Sequence, residues 1–277
     1  DVPRAGSGGL VREPQEDTMA RRTGMAMVAA AILLQAGVQA QDRFPAEGGD
    51  LRIQPLAHAS LRLEHAGRVV YVDPWSRAGL AGAPAADLIL VTDADAGAHH
   101  LDVAAIQPLR KSSTTVVIPA SGRTLVPDGL VLANGASHAI GNLHVEAIGS
   151  YDLTPGEPFH ARGVANGYVL TMGGLRILLA GVTECVPEIA ALQRIDIAFM
   201  PMNLPNGRMT PQAVAACVER FTPRVVYPYH YDQGYIPRLA GRGAAGAAAE
   251  AEASVRTLAT LLAGRAEVRT GRWYPLP

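Results

Sequence analysis

The stretch GYVLTMGGLRILLAG, Gly167–Gly181, decides the fold. Two apolar-rich runs meet at Gly173-Gly174, and a Gly-Gly pair between such runs is the turn signal of a β-hairpin. The neighbouring segments extend the pattern in both directions. Upstream, LHVEAIGS (Leu143–Ser150) reads as a strand. Downstream come a short helix over Pro187–Gln193, a strand in IDIAFMPM, a helix in TPQAVAACVERF and a strand in RVVYPYHY that ends in a loop. The second of these helices opens with Thr210 as N-cap and Pro211 at its first position.

The first half of the chain has the same texture. LRIQPL leads into HASLRLEHAGRVVYVDPW, which alternates on both sides of Ala66-Gly67 as a hairpin does. ADLILV is a continuous apolar run and reads as a buried strand. Asp102–Arg110 has helical spacing, and TTVVIPA is a further strand. Near the C-terminus, Arg238–Glu252 is rich in Gly and Ala, and a helix is expected to run on to Leu262. Strands come first and then alternate with helices, in two similar halves. That order predicts two packed sheets with helices outside.

The 277 residues are 48% hydrophobic and 18% charged, enough for one large domain with a core. A formal net charge of −1, with no basic run interleaved with aromatics, argues against nucleic acid as a partner. Residues 1–18 are polar and patternless. Arg21 and Arg22 then precede an apolar run, Gly24–Val38, that ends in small residues. The run falls short of the ~20 residues that span a bilayer, so it reads as a secretory signal cut after Ala40. The expected organisation is a leader and signal over 1–40 and one domain over 41–277, periplasmic or secreted, with no stable membrane span after cleavage. The two cysteines, Cys185 and Cys217, are either a disulfide in an oxidising compartment or two free thiols.

Seven segments, in order, resemble the metallo-β-lactamase superfamily, and most nearly its L-ascorbate-6-phosphate lactonase-like hydrolases. They are HAS (His58–Ser60), YVDPW (Tyr71–Trp75), ADLILVT, NGYVLTMGGLRILLAG, IDIAFMPMNLP with MTPQAV, VVYPYHY and VRTGRWYP. The resemblance covers Leu51 to Pro277. It implies an α+β fold, a four-layer αββα sandwich with the site at the mouth between the sheets. It also implies hydrolysis of an ester, lactone, amide or phosphoester bond in a small molecule, by water activated on one or two metal ions. Zinc lowers the pKa of such a water to ~7.

TDADAGAHHLD, Thr92–Asp102, stands where such relatives carry a His-x-His-x-Asp-His loop, and it departs from that pattern. Counted from the preceding strand, Asp93 and Asp95 take the positions of the two histidines. Counted back from Asp102, His100 takes the place of the last histidine and His99 that of the aspartate. The counts differ by two residues, which implies a lengthening within Ala96–Ala98. Val182 stands where relatives place a metal-bridging Asp, whereas PYHY keeps His230. The resemblance therefore implies a degraded dinuclear site: at most one weakly held divalent ion, zinc or another, or none, with slow hydrolysis. A metal-free module binding a small molecule or a protein is the alternative. The ligand candidates are Asp93, Asp95, His99, His100 and His230, with Asp95 and His100 as the catalytic pair. From an extended backbone only one of His99 and His100 is expected to point inward, and His100 is preferred. His58, Asp73, His160 and Glu184 are expected to support the pocket or touch substrate.

Overall fold

The computed structural model describes residues 41–94, 99–156, 159–231, 247–271 and 273. The proposed signal segment and Asp95 lie outside them. The first sheet is built in chain order from β1 (Asp42–Phe44), β2 (Leu51–Ala57), β3 (Ser60–His65), β4 (Arg68–Val72), β5 (Leu88–Leu90), β6 (Thr115–Ile118) and β7 (Leu130–Val131). The second holds β8 (Ser137–Ile140), β9 (Leu143–Ser150), β10 (Ala165–Met172), β11 (Leu175–Leu179), β12 (Ile197–Pro201), β13 (Val225–Tyr229) and β14 (Glu267–Val268), again in sequence order. Each sheet begins antiparallel and turns parallel from its fourth strand onward.

Helices cover the outer faces. α1 (Val103–Leu109) lies on the first sheet; α2 (Pro187–Ala190), α3 (Pro211–Phe221) and α4 (Ala247–Leu261) belong to the second half. Strand periodicity explains the layers. Leu88 and Leu90 of β5 face the inter-sheet core with Val70, Val72, Leu170, Ile177, Phe199 and Tyr227. Ile89, between them, packs with Ile106 and Leu109 of α1 on the other side. On the second sheet, Leu178, Ala198, Met200 and Val226 meet Val214, Val218 and Phe221 of α3 and Leu258 of α4. The result is the αββα sandwich expected from the element order.

Local signals account for the boundaries. Ala66 and Gly67, and Gly173 and Gly174, all take positive φ at the two hairpin turns. A Cβ at Gly173 would lie 2.7 Å from the His65 ring, so the turn has no room for a side chain. Thr210 caps α3 by accepting the Ala213 N–H, and Asp102 caps α1 by accepting that of Ala105. The strands β1, β7, β8 and β14 are edge pieces of two to four residues, too short for the sequence pattern to mark them as strands.

Candidate metal centre

The parallel strands β4, β5, β11, β12 and β13 all release their chains at one end of the sandwich. In open α/β sheets, ligands bind beyond such carboxyl ends. Three residues there take the left-handed region that non-glycine side chains avoid: His58 (φ 57°) just after β2, Asp73 (φ 41°) after β4, and His230 (φ 53°) after β13. Each such conformation costs of order 1–3 kcal/mol and persists only where its surroundings impose it. Backbone bonds between the halves help to impose it. The His230 N–H donates to the His58 carbonyl (3.2 Å) and the Asn166 N–H to that of Thr92 (2.8 Å).

His58, His99, His100 and His230 converge here, with one ring nitrogen from each lying within 4.8 Å of the others. The rings of His100 and His230 stack at 5.2 Å and 11°, and that of His58 lies 3.7 Å from His230. His58, His100 and His230 are buried, whereas His99 is half-buried. Asp73 fixes the orientation of His100. Its carboxylate lies 2.7 Å from His100 Nδ1 and also accepts from the Thr92 hydroxyl and the Thr92 N–H. A carboxylate can only accept there, so Nδ1 carries a proton and Nε2 is the nitrogen turned to the cluster. A carboxylate behind a histidine in this manner is the usual support of a metal ligand.

The cluster fits a metal ion by chemistry, and one pair of its nitrogens fits by spacing. Burial, then the fields of His100 and His99, holds the His58 imidazole well below its ordinary pKa; burial, then His58, His100 and His99, does the same for His230. Both are therefore neutral near pH 7, the form that ligates. Zinc–nitrogen bonds of 2.0–2.1 Å at tetrahedral angles put ligand nitrogens about 3.3–3.4 Å apart; His100 Nε2 and His230 Nε2 lie 3.2 Å apart.

The sequence-derived candidates divide at this point. His100 and His230 enter the cluster, and so does His99. The expectation that only one of His99 and His100 points inward does not hold, because the chain bends at these residues instead of running extended. His58, expected to support the pocket, is a member of the cluster. Asp93 is buried outside it, with Oδ2 at 3.3 Å from His160 Nε2 and Oδ1 accepting the Ala94 N–H. Burial pushes its carboxyl up, but the His160 bond, the fields of His100 and His160 and the Ala94 N–H outweigh that and hold it below the ordinary value. His160 lies between Asp93 and Asp152, its Nδ1 3.6 Å from the latter. Glu184 accepts the Thr154 N–H and lies 3.8 Å from Arg208, which also pairs with Asp152.

Thr92, Asp152 and Arg208 escaped the sequence reading. Thr92 lies at the start of the Thr92–Asp102 loop, but a lone hydroxyl carries no motif; Asp152 and Arg208 belong to no spacing pattern. Val182 is buried in the apolar cluster under α3 and offers no oxygen ligand. Cys185 and Cys217 form a disulfide that ties the segment after β11 to α3, so neither offers a thiolate.

Comparison with known proteins agrees with this architecture. Residues 52–230 match the family model described as the beta-lactamase superfamily domain. A crystal structure from Parabacteroides distasonis, provisionally named a metal-dependent hydrolase, is 33% identical with a TM-score of 0.72, over 85% of this chain and all of that one. A UPF0173 metal-dependent hydrolase of Methanoculleus marisnigri is 28% identical over 66% of this chain and 81% of its own length. Igni18, a metallo hydrolase of Ignicoccus hospitalis, shares the fold at 17% identity and a TM-score of 0.60, over 79% of this chain and 94% of its own. These matches reach the superfamily and do not single out the ascorbate-phosphate lactonase group within it. With the sandwich and the histidine cluster described above, the chain belongs to the beta-lactamase superfamily of metal-dependent hydrolases.

Proposed function

We propose that this protein is an exported hydrolase working with a single divalent ion held by His58, His99, His100 and His230, on an ester, lactone, amide or phosphoester bond of a small molecule. The observation that carries this reading is the four-imidazole cluster with His100 oriented by Asp73. When bound, such an ion supplies Lewis acidity and lowers the pKa of a coordinated water toward ~7. The chain's own residues do the rest. Asp73 and Thr92 hold His100 in one tautomer. His58 and His230 remain neutral because they are buried. His160 links Asp93 and Asp152 beside the cluster.

Slow turnover and single-ion binding are parts of the same proposal. Val182 supplies no bridging carboxylate. Four imidazoles fill a tetrahedral set, so a place for water requires either wider coordination or the withdrawal of His99, the one half-buried member. The disulfide supports export, since such bonds persist in oxidising compartments. A mature chain beginning at Gln41 is expected.

The test is elemental analysis of protein purified without chelator, combined with assays on ester, lactone and phosphodiester substrates. One equivalent of ion, lost in His230→Ala together with all activity, is the expected result. Full activity in metal-free protein, or an ion that survives His230→Ala unchanged, would defeat the proposal.

A further inference from the structure

We propose that the guanidinium of Arg208 is a built-in cation filling a carboxylate chamber beside the histidine cluster, and that it confines this protein to one metal ion. The inference rests on the single-ion reading above and supplies a cause for it.

The chamber is defined by its charges. The side chains of Asp93, Asp152 and Glu184 are only 5%, 1% and 14% exposed. His160 joins the first two, its Nε2 at 3.3 Å from Asp93 and its Nδ1 at 3.6 Å from Asp152. The His160 N–H also donates to Asp152 Oδ2 (3.0 Å). Carboxylate oxygens with an imidazole are the donor set of a divalent cation. Buried carboxylates without a positive charge nearby are strongly disfavoured. The positive charge here is Arg208, itself 5% exposed, whose Nη1 pairs with Asp152 and lies 3.8 Å from Glu184.

The segment carrying Arg208 is shaped to hold it. Asn203, Asn206 and Met209 all take positive φ, and the Asn203 N–H donates to the Met209 carbonyl (2.8 Å), closing the loop on itself. Arg208 Nε donates to the Pro205 carbonyl (2.9 Å), and the Phe159 ring lies 5.0 Å from the guanidinium carbon. Nη1 meets Asp152 as an ion pair without hydrogen-bond geometry, and the other buried arm, Nη2, has no hydrogen-bond partner among the described residues. A guanidinium kept only for its hydrogen bonds would be expected to use this arm, because an unmatched buried donor is costly. One kept for its charge need not. Guanidinium also stays protonated at every working pH, so the chamber is closed to a second ion under all of them.

The experiment is equilibrium dialysis against Mn(II) or Zn(II), followed by elemental analysis. Wild type is expected to hold one equivalent. Removing the internal cation in Arg208→Ala should admit roughly one further equivalent, because the carboxylates then lack a counter-ion. Arg208→Lys should remain at one. The double variant Arg208→Ala/Asp152→Asn should also remain at one, since both the charge and a donor are gone. Arg208→Gln keeps most of the volume and serves where the alanine variant does not fold. No extra uptake in Arg208→Ala or Arg208→Gln would overturn the proposal, as would equal extra uptake in Arg208→Lys. The readout is the difference from wild type, so it stands apart from the histidine cluster, whose failure would show as an ion indifferent to His230→Ala.

Discussion

At the scale of single residues, Asp73 separates support from ligation. Its carboxylate touches His100 and Thr92 and is not itself one of the four converging groups. Asp73→Asn should leave the protein folded while weakening metal binding by about 10–100-fold, the usual loss when a partner behind a ligand is removed. Competition against a chromogenic chelator measures this, and unchanged affinity would contradict the role. Acidity is a second probe, used on metal-free protein. His58 and His230 are held below their ordinary pKa in the fold, so on acidification the unfolded chain takes up protons first. Stability should therefore fall as pH drops below about 6.5 and level off only when the folded imidazoles protonate too. Melting temperatures from pH 8 to 5 check the direction, and His58→Asn/His230→Asn should flatten the slope. The cluster was partly legible in sequence. His230 lay in a recognisable strand end and His100 in a recognisable loop. His58 was underrated because one histidine at a hairpin tip carries no spacing pattern, and only the fold brings it to within contact of His230, far along the chain.

At the scale of elements, the disulfide is a covalent constraint between α3 and the segment after β11. Cys185 and Cys217 close a loop of sequence separation 32, with their Cα atoms 5.6 Å apart. Chain-entropy reasoning gives such a link roughly 3–4 kcal/mol of stability. Cys185→Ser/Cys217→Ser should therefore lower the midpoint of urea unfolding and raise the slope, because the unlinked denatured chain is less compact. A midpoint that does not move would show that α3 is held by its apolar face alone. Longer elements announced themselves by periodicity and caps. α3 follows Thr210-Pro211 as expected, and β9 spans Leu143–Ser150 as read. Whether the two cysteines meet was not legible, because spacing in sequence does not fix Cα separation. The edge strands β1, β7, β8 and β14 were invisible for a related reason: two to four residues are too few to show a period, and their pairing comes from the neighbouring strand.

At the scale of the whole molecule, each sheet is built from one uninterrupted stretch of chain, and the chain passes between them once, from β7 to β8. The ordered family resemblance made the sandwich legible, because every buried strand has its own apolar run. The closing of the site between the halves was less so, since it depends on contacts such as the His230 N–H to the His58 carbonyl. The single crossing has a consequence for how the protein can be taken apart. Ala133 and Asn134 are exposed at that crossing, and the Asn134 side chain bonds to the Ile148 and Ala165 carbonyls of the second half. A nick before Asn134 would give two fragments with one sheet each. Neither is self-sufficient, since each would leave its half of the inter-sheet core bare. His58, His99 and His100 would sit on one piece and His230 on the other. Co-expressed fragments should find each other through the apolar faces and be welded by a coordinate bond to the ion. Their dissociation constant should then rise on adding chelator, in a measurement that needs no substrate. Under that operation the protein behaves as a heterodimer, joined by its apolar faces and, on the proposed site, by the ion.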